Sequence, residues 1–387
     1  MTDLTANTEA EVVEIVRSAR EWKSPLNIVG ARTKRAFGRA VANWGTALDL
    51  SGLKGVVSYE PEELLLTVLP GTPVVDINAL LAANNQRLGF EPADWGPLLG
   101  APANKATIGG VISANANGPA AIRFGRARDH LLGFRAVNGF GEAYKGGGKV
   151  VKNVTGFDLP KLMCGAMGTL GPLTELTFRV FPKPPLAVTL CLADVEPEAG
   201  FAALRKIALS ALEPAGLAYL PAMMMPGAGP QFGQGAALIK LEGARQPLEE
   251  KIALAHGLLG QSVQRIEDDP FPAIASGEKF ADVPGHVWRV MVAPADARRV
   301  AKELNAQHWL GDWAGGLIWL AAAPADASRV RAIAAAAKGQ AMLLRGSPDA
   351  RAALGLYAPQ APALAGLSRA VKAAFDPLSL FNPGRLV

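Results

Sequence analysis

Apolar residues Val12, Val13, Ile15, Val16 and Ala19 recur at the spacing of one helix face. Thr8 and Glu11 stand ahead of them at capping-box spacing and Pro25 closes the segment, so the pattern predicts a first helix. LNIVG (26–30), TALDL (46–50), GVVSYE (55–60) and LLLTVLP (64–70) are apolar runs of strand length. Thr72 and Pro73 start a second predicted helix, with Pro in its first turn and Val74, Ile77, Leu80 and Leu81 as its apolar positions. From 100 to 130 the alternation gives way to small residues, GAPANKATIGGVISANANGPAAIRFGRARD, which let backbone pack on backbone or on a ligand. Strands resume at 133–139 and 141–147, joined by a turn at Asn138 and Gly139. Asp158 is placed to cap a short helix with Pro160 in its first turn. LTELTFRVF (173–181) follows as a strand, with Thr174, Leu176, Phe178 and Val180 on one side, and PKPP (182–185) is a stiff linker.

The second half repeats itself. Strands at 186–193, 216–220, 235–243 and 262–267 with helices near 197–212 and 247–259 give βαββαβ. Strands at 286–293, 307–311, 316–323 and 341–346 with helices near 295–306 and 325–338 give it again. A last helix (362–374) leads into FDPLSLFNPGRLV. The whole reads as an α+β chain of more than one domain, since single cores stop growing near about 250–300 residues and this chain has 387.

Half of the residues are hydrophobic and 19% are charged, which describes a well-cored protein and excludes a disordered one. No apolar run reaches about 18 residues, so no spanning helix is expected. The acidic start MTDLTANTEAEVVE lacks a signal pattern. Cys164 and Cys191 make no CxxC and no zinc spacing, and His130, His256, His286 and His308 are too scattered for a metal motif. No metal is therefore expected, and the location is expected to be cytoplasmic. The net charge of +5 concentrates in RTKRAFGR (32–39) and RFGRAR (123–128), without the aromatic interleaving of a nucleic-acid platform. Rossmann, Walker and nucleophile-elbow signatures are absent.

Three glycine-containing features remain. In IVGARTKRAFG (28–38) a strand runs into a polar turn whose successive N–H groups can bind an anion, with Arg32 and Lys34 adding charge, or it is a plain basic loop. In PANKATIGGVISANANG (102–118), Gly109 and Gly110 admit a flat ring or pyrophosphate, with Ser113 and Asn115 as hydrogen-bonding groups, or the stretch is a tightly packed crossover. In GGGKVVKNVTGFDLPKLMCGAMGTLG (146–171), which contains Lys152 and Asn153, Gly165, Gly168 and Gly171 return the chain to the next strand. They lie against a nucleotide edge or form a tight turn.

In this order the three features resemble the FAD-binding domain of the vanillyl-alcohol oxidase and PCMH-type flavoprotein superfamily. The residues that carry the likeness are ATIGG…AN…G, Arg126 to Gly133, and GFDLPKLMCGAMGTLG with the LTE after it. The duplicated split βαβ is similar to that superfamily's ferredoxin-like cap, and the terminal FNPGRL resembles the end of its hydroxy-acid dehydrogenases. Within the superfamily, a compact chain with KNVTGFDLPKL resembles the smaller FAD-binding subunits of bacterial glycolate oxidases. The resemblance implies a PCMH-type FAD-binding domain of two α+β subdomains over 1–182, a cap over 186–346, and a C-terminal helix and tail over 347–387 that returns to the FAD domain. It implies FAD, bound non-covalently because the family's flavin-linked histidine has no match here. The cofactor residues it implies are Val29, Gly30, Ala31, Arg32, Thr33, Lys34, Pro102, Thr107, Ile108, Gly109, Gly110, Ser113, Asn115, Gly118, Asp129, Gly171 and Leu173. Gly30 to Lys34 would hold the pyrophosphate, Gly109 and Gly110 would lie beside the flavin and ribityl chain, and 171–173 would close on the adenosine end.

The same resemblance implies a subunit of a glycolate-oxidising complex, an FAD-dependent oxidoreductase. Its partners would be a larger FAD-binding catalytic subunit and an iron–sulfur subunit, and its substrate a small 2-hydroxy acid. Peripheral attachment to the inner membrane would come through the complex. The histidine-rich metal motif of the larger relatives' cap has no counterpart in the sequence. No catalytic residue is assigned; Arg289 and His286, on a predicted cap strand, either face the flavin or are ordinary strand residues. PAMMMPGAGPQFG (221–233) is a contact surface or a buried run. Two other readings stand beside this one: a self-sufficient FAD dehydrogenase of another hydroxy acid or alcohol, and a flavin-free scaffold of the same fold.

Overall fold

The computed structural model describes residues 3–41, 45–149, 156–225, 233–260 and 263–386. Lys152, Asn153 and most of the 221–233 stretch lie outside them.

The chain opens with strand β1 (Asp3–Thr5) and helix α1 (Glu9–Glu21). Thr8 accepts a hydrogen bond from the Glu11 N–H, while the Glu11 carboxylate reaches back to the N–H of Asn7. Val12, Val16 and Ala19 of α1 are buried against the sheet formed by β1, β2 (Leu26–Val29) and β3 (Thr46–Asp49), which pair in parallel in the order β1-β3-β2. β1 carries too few residues to show a period, so the sequence pattern passes over it.

A second sheet contains β4 (Val56–Glu60), β5 (Leu65–Val68), β7 (Leu131–Val137), β8 (Ala143–Gly147) and β9 (Leu173–Arg179), in the order β4-β5-β9-β7-β8. Every described pairing in it is antiparallel. Short strands β6 (Gln86–Arg87) and β10 (Phe181–Pro182) pair beside it. Helix α2 (Val74–Ala83) starts one residue after Pro73, which is its N-cap rather than its first turn. The β7–β8 connection is longer than a two-residue turn: Asn138 accepts from the N–H groups of Phe140 and Glu142, and the left-handed residue is Gly141 (φ +76°). Gly139 is small for another reason, because a Cβ there would come within 2.8 Å of the Asp376 backbone.

The small-residue stretch is partly helical, contrary to its composition. It forms α3 (Ile108–Ala114), α4 (Ala121–Phe124) and α5 (Ala127–His130). Burial of Ile108, Val111 and Ile112 in the main core overrides the poor helix propensity of the Gly109–Gly110 pair. Helix α6 (Leu159–Met163) is capped by Asp158, which accepts from the Lys161 N–H, as the sequence predicts.

The second half builds one eight-stranded sheet. Its strands are β11 (Leu186–Ala193), β12 (Gly216–Pro221), β13 (Gly235–Gly243), β14 (Val263–Ile266), β15 (His286–Met291), β16 (His308–Asp312), β17 (Leu317–Ala322) and β18 (Gln340–Arg345). The order β14-β11-β13-β12-β16-β17-β15-β18 is two copies of one four-strand arrangement joined edge to edge, with Tyr219 opposite Gly311 at the seam. One face is covered by α7 (Pro197–Ala208) and α8 (Arg245–Leu259) over the first copy, and by α10 (Ala297–Leu304) and α11 (Ala327–Ala336) over the second. A short α9 (Phe271–Ser276) lies in the link between the copies.

The other face joins the core of the first half: Val287, Leu317, Trp319 and Met342 share a cluster with Leu66, Phe90 and Trp95. Both faces are therefore buried, which is why these strands read as unbroken apolar runs. After β18 come α12 (Pro348–Leu354), which the sequence pattern does not show, and α13 (Pro362–Phe375). The tail then runs back to β2, where Leu26 donates to the Leu380 carbonyl at 2.7 Å.

Candidate functional site

A groove of about 870 Å³ lies where four segments converge. They are the loop after β2, the first turns of α3, the return into β9, and the C-terminal tail. The β2 loop follows from local chemistry. The strand ends at Val29, Arg32 takes a left-handed conformation (φ +60°), and Arg35 and Phe37 donate back to Arg32 and Lys34 in tight turns. The N–H groups of Ala31, Arg32, Thr33 and Lys34 find no acceptor among the described residues. Four successive unpaired N–H groups form an anion-binding concavity.

Lys34 adds a charge to it. The residue is 9% exposed, its Nζ has no hydrogen-bond partner among the described residues, and burial pushes its ammonium down to about 8 against the pull of Asp94. A buried ammonium without an anion is costly, so this side chain fits a ligand with negative charge. Arg32 does not supply the charge that its position suggests. Its guanidinium turns away to Asp3 (2.8 Å) and Asp49 (3.2 Å), and only its backbone serves the groove.

The two glycines of α3 do different work. A Cβ at Gly109 would meet Pro70 Cβ at 2.6 Å and the Pro70 carbonyl at 2.9 Å, so this glycine is demanded by packing. A Cβ at Gly110 would meet only Thr107 Oγ1, at 3.3 Å, and otherwise projects into the groove. Gly110 therefore keeps the wall bare for something that lies flat against it. The first N–H groups of α3 are already used, by Thr72, Pro70 and Thr107, so the helix end itself offers the ligand little.

The tail closes the groove. Asn382 accepts from the Ile28 N–H (2.8 Å) and donates to the Met167 carbonyl (2.7 Å), stitching β2 to the glycine-rich return. Arg385 donates to the carbonyls of Lys34 (2.9 Å) and Phe37 (2.7 Å), and burial, with Arg351 and Arg35 nearby, lowers it to about 10. Asp376 anchors the turn before it, accepting from the N–H groups of Leu380 and Phe381 and from Lys372.

Of the residues singled out in the sequence, Val29, Gly30, Ala31, Arg32, Thr33, Lys34, Thr107, Gly109, Gly110, Ser113, Gly171 and Leu173 line this groove together. Five do not. Pro102 is exposed, and Ile108 is fully buried in the core. Asn115 caps the C-terminus of α3 and accepts from the Cys164 thiol. Gly118 lies in a turn whose carbonyl accepts from Trp313, and Asp129 accepts from the Arg126 N–H. Sequence reasoning missed Asn27, Phe37, Met167, Asn382 and Arg385, which also line the groove. FNPGRL was the only signal pointing to the last two. Among the described residues, no three His, Cys, Asp or Glu side chains converge as a metal site.

The bare Gly110 wall, the row of free N–H groups and the orphaned Lys34 ammonium fit an extended nucleotide carrying a diphosphate. Comparison with known proteins agrees with this. The FAD binding domain family matches residues 3–147. The glycolate oxidase subunit GlcE of Escherichia coli (strain K12) is 32% identical over 377 residues, 97% of this chain and 96% of that one. The glycolate oxidase subunit GlcD of Bacillus subtilis (strain 168) is 29% identical over 214 residues, 55% of this chain and 44% of its own. Among solved structures, p-cresol methylhydroxylase shares the fold, with a TM-score of 0.68 at 17% identity, covering 99% of this chain and 88% of that one. The chain is an FAD-binding oxidoreductase that belongs to the family of the glycolate oxidase subunit GlcE.

Proposed function

We propose that this chain is the FAD-binding subunit of a complex that oxidises glycolate to glyoxylate. The observation that carries the reading is the end-to-end match to GlcE, in a chain whose groove has kept an intact anion concavity and a bare glycine wall. FAD would be held non-covalently along Val29 to Lys34, with Thr107, Gly109, Gly110 and Ser113 on one side and Gly171, Leu173, Asn382 and Arg385 on the other. Bound there, FAD supplies the capacity to accept a hydride equivalent from a hydroxy-acid carbon. Lys34 and the N–H groups of Ala31 to Lys34 would neutralise its diphosphate, the side-chain-free wall at Gly110 would leave room for the cofactor, and Phe37 and the tail would exclude water.

On this reading residues 1–182 form the FAD-binding domain, 186–346 the cap, and 347–387 a strap that returns to the first domain. The partners would be a larger FAD-binding subunit, related to GlcD, and an iron–sulfur subunit that takes the electrons onward. No helix among the described residues is long and apolar enough to cross a membrane. A cytoplasmic location, with inner-membrane attachment through the complex, is part of the proposal. An anaerobic visible spectrum tests it: the purified chain should show bound flavin, and glycolate should bleach the flavin of the assembled complex. A chain that stays colourless after incubation with FAD would overturn the reading.

A further inference from the structure

A second cavity of about 870 Å³ shares no lining residue with the FAD groove. It lies where α2 and β6 of the first half face β13 of the eight-stranded sheet. Its lining carries five charged side chains: Arg87, Glu91, Lys183, Lys240 and Glu242.

Most of these charges are matched. Arg87 and Glu242 form a bidentate pair across the two halves, at 2.7 and 2.6 Å. Lys240 pairs with Asp269 at 2.6 Å and lies over the Phe271 ring. Close by, Lys251 donates to the Glu242 backbone carbonyl, and Arg123 pairs with Glu213 at 2.9 Å. Two charges are left. Lys183 is on the exposed rim, where water solvates it. Glu91 lies deeper and forms no ion pair with any described residue; its carboxylate accepts from the Ala120 N–H at 3.0 Å. Burial pushes this carboxyl up. The Ala120 N–H and Lys240 pull it down, and Asp269 and Glu242 work against them.

The fold goes to some length to hold Glu91 there. Its backbone is left-handed (φ +53°), an uncommon conformation for a residue with a side chain. The Gly118 N–H fixes the turn by donating to the Glu91 carbonyl at 2.9 Å. A Cβ at Gly118 would come within 2.7 Å of Glu91 Oε2, so this glycine leaves room for the carboxylate. Gly118 thus serves the second cavity rather than the FAD groove.

We propose that this cavity is a second binding site, for a small organic cation with a primary ammonium group, held by Glu91. The ammonium supplies the counter-charge that the protein withholds from this carboxylate. Asn78 also lines the cavity, and its side-chain amide makes no hydrogen bond to a described residue, so its oxygen is available as a second acceptor. Ala82, Leu88, Pro92 and Ala215 give the remaining wall a surface for a short alkyl body. An anion fits less well, because carboxylates already match Arg87 and Lys240. The site does not depend on what the FAD groove oxidises.

The test is calorimetric titration of the FAD-loaded chain with n-butylammonium at constant ionic strength. Tetramethylammonium, with the same charge and no N–H donor, is the control. The wild type should bind n-butylammonium saturably and tetramethylammonium about tenfold or more weakly. Affinity should rise with pH as Glu91 loses its proton. Glu91→Gln keeps the side-chain size and the acceptor for Ala120. It should lose about tenfold or more in affinity, together with the pH dependence, while the flavin spectrum and melting temperature hold. If that variant does not fold, Ala82→Phe, at an exposed position of α2, fills the cavity and should block binding. No saturable binding to a wild-type chain with an intact flavin spectrum would overturn the site. Equal binding of the two cations, or affinity that survives the substitutions, would overturn it as well.

Discussion

Lys34 and Arg289 are both buried cations that form no ion pair with any described residue, and the molecule houses them differently. Lys34 sits beside four backbone N–H groups on a loop, in a groove whose wall is bare at Gly110. Arg289 sits on a strand inside a box of tryptophans. The first site is made of backbone N–H groups and one ammonium, all within a single loop of the first half. The second is made of side chains from both halves, so it depends on how the halves meet. A half-buried cation, Lys372, shows the ordinary solution: the fully buried Asp376 pairs with it at 2.5 Å.

The largest effect should come from breaking that ordinary pair. Asp376→Ala leaves the N–H groups of Leu380 and Phe381 without their acceptor and Lys372 without its counter-charge, holding only the carbonyls of Thr169 and Phe381, at a cost of about 3–5 kcal/mol. Urea unfolding would read it. A small effect would mean that the tail is not what closes the groove.

Lys34→Met should act in the opposite direction on the FAD-free chain. Removing an ammonium that burial has pushed down to about 8 should stabilise that form by about 1–3 kcal/mol at pH 7 while weakening FAD binding. The sign extends to pH. Between about 8 and the ordinary lysine value, the unfolded chain holds the proton and the FAD-free fold does not. The FAD-free fold therefore gains stability as pH rises through that window. An anion at Nζ restores the proton, so FAD affinity should fall over the same window. The Lys34→Met variant should lose that slope.

Gly110→Val sharpens the contrast between wall and packing. Valine is a better helix residue than glycine, and its Cβ meets only Thr107 Oγ1, at 3.3 Å, so the melting temperature should change little. FAD affinity should drop by about tenfold or more, since the side chain occupies the ligand's side of the groove. The smallest effect should be Arg32→Ala. Its two partly exposed ion pairs contribute about 0–1 kcal/mol, and FAD affinity should hold because only the Arg32 backbone serves the groove.

The same contrast explains what could be read in the sequence. The β2 loop, the Gly109–Gly110 pair and the duplicated βαββαβ are local patterns: a strand into a polar turn, a glycine pair, a repeat. The first two are each legible within one short stretch, and the third from the recurrence of one pattern over 186–346. Helix α3 was hidden because its glycines argue against it, and only the core contacts of Ile108, Val111 and Ile112 explain it. Asn382 and Arg385 line a groove built from residues some 350 positions earlier, and no local signal reports such a contact. The box around Arg289 draws on positions 95, 126, 289, 313 and 319. In the sequence Arg289 stands out only as a residue of a predicted cap strand that either faces the flavin or is ordinary, and no local pattern brings the three tryptophans to it.

The most direct test of the central claim is the number of FAD molecules bound per chain in the wild type and in Gly110→Val, measured after incubation with FAD and gel filtration. The account predicts about one FAD in the wild type and a large loss in a variant that melts at the same temperature. A colourless wild type, or a variant that retains its full complement of FAD, would contradict it.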